Sequence, residues 1–181
     1  MSEDLFSKSY FEIFNVDVNF DIDLNIISET NRNLQKQFHP DRFANANEQE
    51  ARVAMQKTSL VNQAFQTLKQ PILRAQYMLK LKGLDMESET DTSMDGAFLM
   101  EQMEFREAIA EVREKEDPLD ELDQMASELK SKLKLLEQEF TDSYKSNDLE
   151  NARNAVRKMQ FIIKAQTEVK AISEQLEDEL F

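Results

Sequence analysis

The 181-residue sequence predicts an all-α fold in two parts, and three observations predict it. Helix breakers are scarce, with two glycines and three prolines, so long stretches can remain helical. Apolar residues recur at helical spacing over most of the chain. Charge is unevenly shared: residues 1–82 carry ten bases and ten acids, whereas residues 83–181 carry twelve bases and 26 acids, the whole net charge of −14. The boundary between the two parts is the acidic, turn-rich and non-periodic stretch GLDMESETDTSMDG. The expected organisation is therefore residues 1–82, a linker over 83–95, and a second helical unit over 96–181. Apolar residues make up 40% of the chain, enough for a real core.

The elements follow in order. A short helix is expected over SKSYFEIF, with Ser7 placed to cap it. A second begins near Asp23, with Leu24, Ile27, Leu34 and Phe38 at helical spacing. Pro40 ends it, because proline pushes the preceding residue, His39, out of the α region. After the polar loop HPDRFANAN, Asn47 and Glu50 form a capping-box-like pair for a third helix. The stripe of that helix is Val53, Leu60, Val61, Ala64, Phe65 and Leu68. Pro71 suits the first turn of a fourth helix, PILRAQYMLKLK, which Gly83 can close. Beyond the linker, residues 96–116 form a fifth. Asp117 and Pro118 restart the chain with a cap and an N1 proline. The sixth helix carries Leu122, Met125, Leu129, Leu133, Leu136 and Phe140. The seventh, after Asp148, carries Ala152, Val156, Met159, Ile163, Val169, Ile172 and Leu176. Long helices with short connections pack as an antiparallel bundle, here of three helices.

Composition removes several functions. With no cysteine there is no disulfide framework, thiolate zinc site or cysteine nucleophile, and one histidine cannot build a histidine-rich metal site. Carboxylate-only ion binding is left, but no D-x-[DN]-x-[DN]-G loop supports it. The acidic second half argues against general nucleic-acid binding, which rests on Lys and Arg neutralising phosphates. The N-terminus lacks a basic segment and a long apolar run, so no secretory signal is expected. No stretch approaches the ~18 apolar residues of a membrane span. The expected location is the cytoplasm.

The informative residues lie off the core stripes. In AFLMEQMEFREAIAEV, a core face through Phe98, Phe105, Ile109 and Val112 leaves Leu99, Met100 and Met103 pointing elsewhere, flanked by Glu104 and Glu107. Phe161 falls off the stripe of the last helix in the same way. Either these residues widen the packed face, or they form an exposed apolar patch rimmed by glutamate, the mark of a protein-binding surface. Arg32 and Lys36 lie one turn apart on the second helix, with Arg42 in the loop beyond. Taken alone they are a solvated face. The only histidine, His39, stands just past a helix end in His39-Pro40-Asp41. Asp41 is too close along the chain to orient the ring as a triad does, and a metal lacks partners. The tripeptide reads either as a favourable end charge or as part of a rigid loop displayed for recognition.

Taken together, YFEIFNV, a helix ending in QKQFHPDRF, and VNQAFQTLKQPILRAQYML resemble a J domain, with His39-Pro40-Asp41 between its second and third helices. The second half, through AFLMEQMEFREAI, VRKMQFIIKA and the ending EQLEDEL, resembles the C-terminal domain of the HscB family, co-chaperones of bacterial iron–sulfur cluster assembly. The resemblance spans nearly the whole chain.

That resemblance implies a function. J domains bind an Hsp70 through the second helix and the His-Pro-Asp loop and stimulate its ATPase, which assigns Arg32, Lys36, His39, Pro40, Asp41 and Arg42 to that contact. HscB-type proteins bind the cluster scaffold protein IscU through an apolar and acidic patch, which assigns Leu99, Met100, Met103, Glu104, Glu107 and Phe161. The second helix carries fewer bases than many J domains, which points to a dedicated chaperone, HscA. The glycine/phenylalanine-rich segment and zinc repeats of general-purpose J proteins are absent, so a role in holding unfolded clients is not implied. Nor is the cysteine-bearing N-terminal extension of eukaryotic relatives present, in keeping with a bacterial cytoplasm. No catalytic residue, cofactor or metal is implied. The competing classes are a helical adaptor with an incidental tripeptide and an enzyme built on clustered carboxylates.

Overall fold

Ser9, not Ser7, opens the first α-helix, α1 (Tyr10–Ile13). The Ser9 hydroxyl accepts the Glu12 N–H, and the Glu12 carboxylate accepts the Ser9 N–H at 2.6 Å. This reciprocal pair is a capping box. The bond to the Ser9 backbone holds the Glu12 carboxyl below its ordinary range. Ser7, expected to open this helix, instead ends a separate 3-10 turn, Leu5–Ser7. Residues 5–43, 47–86 and 95–180 are described in this computed structural model, and among them every regular element is helical. The chain divides into two compact units, Met1–Lys82 and Gly83–Phe181.

In the first unit, α2 (Leu24–Phe38) and α3 (Glu48–Lys69) pack against each other, and α4 (Pro71–Leu81) returns along α3. Asp23 caps α2 and Asn47 caps α3, each accepting a backbone N–H of the first turn. Pro71 occupies the first turn of α4, where its missing N–H costs nothing. Gly83 follows at φ +87°, a left-handed conformation that glycine adopts without penalty. The core is Phe11, Ile13, Phe14 and Phe20 from the N-terminal segment, Ile27 of α2, Val61, Ala64 and Leu68 of α3, and Ala75, Met78 and Leu79 of α4. Leu24, expected in the core stripe of α2, is 45% exposed, because the first residue of a helix lies at the margin of its packed face.

A half-buried tyrosine and a buried arginine tie this unit together. Tyr77 stacks on Tyr10 at 4.3 Å and its hydroxyl accepts the Tyr10 N–H, which fixes the entry to α1. Burial raises the Tyr77 pKa above its usual value. Arg74, 6% exposed, donates to the Leu68 carbonyl at 2.8 Å and lies 5.0 Å over the Phe20 ring. It therefore closes the end of α3 and holds the loop before α2. Arg74→Ala is expected to lower stability by about 2–4 kcal/mol, through a lost charge-assisted bond, a lost cation–π contact and a void. Chemical denaturation followed by circular dichroism measures this directly. A midpoint equal to that of the parent would refute the clamp.

The second unit contains α5 (Gly96–Glu111), α6 (Pro118–Lys145) and α7 (Leu149–Leu180). Of the linker expected over 83–95, residues 87–94 lie outside the described residues. The helix expected over 96–116 ends at Glu111 and continues as a 3-10 turn, Val112–Glu114. Asp117 then caps α6 at the Asp120 N–H, with Pro118 in the first turn. Asn147, at φ 60°, breaks α6 from α7, and Asp148 accepts the Asn151 N–H to start the last helix. Because this connection is short, α6 and α7 run antiparallel. Accordingly Leu122 at the start of α6 and Leu176 near the end of α7 share one core with Ile109, Val112, Leu129, Ile162, Ala165 and Val169. The buried isoleucine of α7 is Ile162; Ile163, assigned to the stripe from sequence, is only half-buried. Lys132 of α6 pairs with Glu101 of α5 across the surface of the bundle.

Candidate functional site

The loop after α2 is built by its neighbours. Thr58 of α3 donates its hydroxyl to the Phe38 carbonyl at 3.1 Å, which pins the end of α2 against α3. Farther from that end, Gln35 donates to the Asn62 side chain at 2.9 Å. These bonds orient the inner face of α2, so Arg32 and Lys36 project outward one turn apart, both exposed. Lys57 sits 5.5 Å over the Phe38 ring. The chain then leaves α2 through His39 and enters a 3-10 turn, Pro40–Phe43. His39 accepts the Asp41 N–H at Nδ1 and the Arg42 N–H at its carbonyl. The Arg42 guanidinium reaches back to the Lys36 carbonyl at 3.5 Å. The Asp41 side chain is 90% exposed.

Arg32, Lys36, His39, Asp41 and Arg42 are thus gathered on one edge of the first unit, with Pro40 in the same turn. The arrangement offers a carboxylate on a fixed turn beside a line of cations. Sequence reasoning did not find Thr58, or the Gln35–Asn62 pair, although both set the position of this edge. A threonine within a helical run is a weak signal, and the pairing depends on the register between two helices.

On α5, Leu99, Met100 and Met103 are 47%, 64% and 62% exposed. Phe98, Ile109 and Val112, on the opposite side, are buried. Glu104 and Glu107 lie beside the methionines and are exposed. Five of the six residues assigned to this patch therefore share one outward face. Phe161 does not. It is half-buried, with its ring 5.5 Å from Phe98 and 6.0 Å from Phe105, both edge-on, and it packs on the bundle core. The expectation that it stands clear of the core with Leu99 and Met103 is corrected here: α5 covers that side of α7. Its link to the patch is indirect. Phe161 and Glu104 line the same cavity of about 210 Å³, with Glu101, Met125 and Glu128.

Among the described residues no group of three or more His, Cys, Asp or Glu side chains is placed to hold a metal ion. Nor is any helix among them long and apolar enough to cross a membrane.

A helical hairpin with a His-Pro-Asp turn at its tip, followed by a helical bundle, defines a J-domain protein. The comparisons are more specific. The family model described as the HSCB C-terminal oligomerisation domain matches residues 94–170. Over 176 residues the chain is 42% identical to the co-chaperone protein HscB homolog of Shewanella loihica, covering 96% of this chain and 99% of that one. The solved structure of chaperone HscB from Vibrio cholerae superimposes with a TM-score of 0.85 at 35% identity, covering 93% of this chain and 99% of that one. Human co-chaperone HscB superimposes with a TM-score of 0.83 at 28% identity, covering 94% of this chain and 84% of that one. The chain belongs to the HscB co-chaperone family.

Proposed function

We propose that this protein binds an iron–sulfur cluster scaffold protein of the IscU type, delivers it to a dedicated Hsp70 of the HscA type, and stimulates that chaperone's ATPase. The observation that carries this reading is the Asp41 carboxylate, exposed on a short turn held at both ends, beside the outward cations Arg32, Lys36 and Arg42. A rigid turn lowers the ordering cost of docking. The cations steer encounter with an acidic surface, while Asp41 pairs with a cation on the chaperone. Docking stimulates hydrolysis only if the turn binds the hydrolysis-competent state of the chaperone more tightly than the other state. The exposed face of Leu99, Met100 and Met103, with Glu104 and Glu107, is the proposed scaffold contact, and Phe161 supports it from within the bundle. Carrying both modules on one chain raises the effective concentration of scaffold at the chaperone. The protein contributes contacts and no catalytic residue of its own, and it works in the bacterial cytoplasm.

The test is a single-turnover ATPase assay with purified HscA-type chaperone and IscU-type scaffold. The protein should accelerate hydrolysis alone and more strongly with scaffold present. No acceleration under either condition would reduce the protein to a helical adaptor.

A further inference from the structure

We propose that the His39 imidazole is a positioning group: it caps the turn that carries Asp41 and aims the carboxylate outward, without itself touching the chaperone. This rests on the reading of Asp41 as the chaperone contact. His39 ends α2 at φ −57°, ψ 133°, the extended conformation of a residue that caps the start of the next helical turn. Its carbonyl accepts the Arg42 N–H at 3.0 Å, closing the first bond of the turn. Pro40 comes next and has no N–H. The Asp41 N–H is therefore the first donor of the turn that needs a partner, as at any helical start. His39 Nδ1 accepts it at 3.3 Å. The imidazole thus acts as an asparagine side chain does in an Asx turn, accepting from the backbone two residues on.

The same geometry says what the carboxylate is left to do. Nδ1 lies 3.5 Å from Asp41 Oδ2. A nitrogen that accepts the Asp41 N–H has its lone pair directed at Asp41 and no proton to give the carboxylate. The ring proton is then on Nε2, and the charge of Asp41 is free for an external cation. At the other end of the turn, the Arg42 guanidinium holds the Lys36 carbonyl. His39 is itself 58% exposed, so a direct contact with the chaperone is the alternative to be separated.

Two amides separate them. In His39→Asn the amide oxygen lies as many bonds from Cα as Nδ1 does, and asparagine is among the best caps. In His39→Gln the amide lies one bond farther out, matching Nε2. With the full-length chain alone, hydrogen exchange at the Asp41 amide should stay slow in His39→Asn. It should quicken by roughly fivefold in His39→Gln and His39→Ala, the effect of losing one cap. The single histidine makes the ring nitrogen signals unambiguous, and they should place the proton on Nε2. In the ATPase assay, His39→Gln and His39→Ala should raise the concentration for half-maximal stimulation by roughly fivefold to tenfold, with His39→Asn within about twofold of the parent. Rescue by Gln and not Asn would assign the ring to a direct contact and overturn the proposal. So would equal losses, equal retention, or unchanged Asp41 exchange in all three variants. If the parent stimulates no chaperone, the proposed function fails, and the exchange rates alone decide whether His39 is a cap.

Discussion

Asp41→Asn is expected to remove chaperone stimulation while leaving the fold intact. The side chain is 90% exposed, and its Oδ2 lies 3.5 Å from the His39 ring nitrogen. The amide keeps the volume of the carboxyl and leaves the backbone N–H that His39 accepts. Changes at such exposed positions usually move stability by less than ~0.5 kcal/mol. The interface responds differently. Truncating one member of a desolvated charge pair costs about 2–5 kcal/mol, because the partner's cation is left without its counter-ion. That corresponds to roughly thirtyfold to several-thousandfold in affinity. The contrast between an unmoved melting curve and a lost ATPase response is the signature of a contact residue. Scaffold binding, proposed for the α5 face of the other unit, should be unchanged. A variant that stimulates as well as the parent would show that the turn acts by some means other than its charge.

The reading of His39 as a cap and of Asp41 as a contact gives the two residues different sensitivities. Loss of the cap leaves the charge in place but less ordered, so stimulation weakens. Loss of the charge removes the contact. A structural account of the loop predicts similar losses for both, whereas the geometry predicts a smaller loss at His39, recoverable by asparagine.

Where helix positions were concerned, periodicity was sufficient. Every residue of the expected α3 and α6 stripes is buried or half-buried, from Val61 and Leu68 to Leu122 and Phe140, although α3 also buries Ala54, which lay outside its stripe. Errors arose where two readings differ by one residue. Ser7 and Ser9 both precede the first apolar run, but only Ser9 has glutamate three residues on, and that signal was legible and missed. Ile162 and Ile163 are adjacent on α7, and which one faces inward depends on where α5 and α6 approach. The same dependence put Phe161 against Phe98 and Phe105. One helix's period carries no information on its neighbour's register. The exposed face of α5 was legible for the opposite reason: three large apolar residues lay opposite a stripe already sufficient to fill the core. The cap made by His39 was not legible, because it needs the ring's orientation, and the chain's exit there depends on the pairing of α2 with α3 through Thr58 and the Gln35–Asn62 bond.

Replacing Leu99, Met100 and Met103 together by Ala should weaken scaffold binding by on the order of a hundredfold or more. Apolar anchors at the centre of an interface commonly cost about 1–2 kcal/mol or more each when truncated. The bundle should survive, because these side chains are between 47% and 64% exposed and fill no part of the core. Alanine is also the strongest helix former, so α5 loses nothing in propensity. Phe161→Ala is the contrasting case. Its ring contacts two aromatic neighbours and the bundle core, so the variant should lose about 2–4 kcal/mol of stability. Any loss of scaffold affinity in it should therefore come with a lowered melting temperature. Calorimetric titration with scaffold and a thermal melt of each variant separate the two roles. A triple variant that melts well below the parent would mean that the face of α5 is packed and is no docking surface. A triple variant that keeps both its stability and its affinity would place the scaffold elsewhere on the molecule. The pattern expected here is affinity lost without stability for the α5 face, and stability lost first for Phe161, since only side chains outside the core are free to bind a partner.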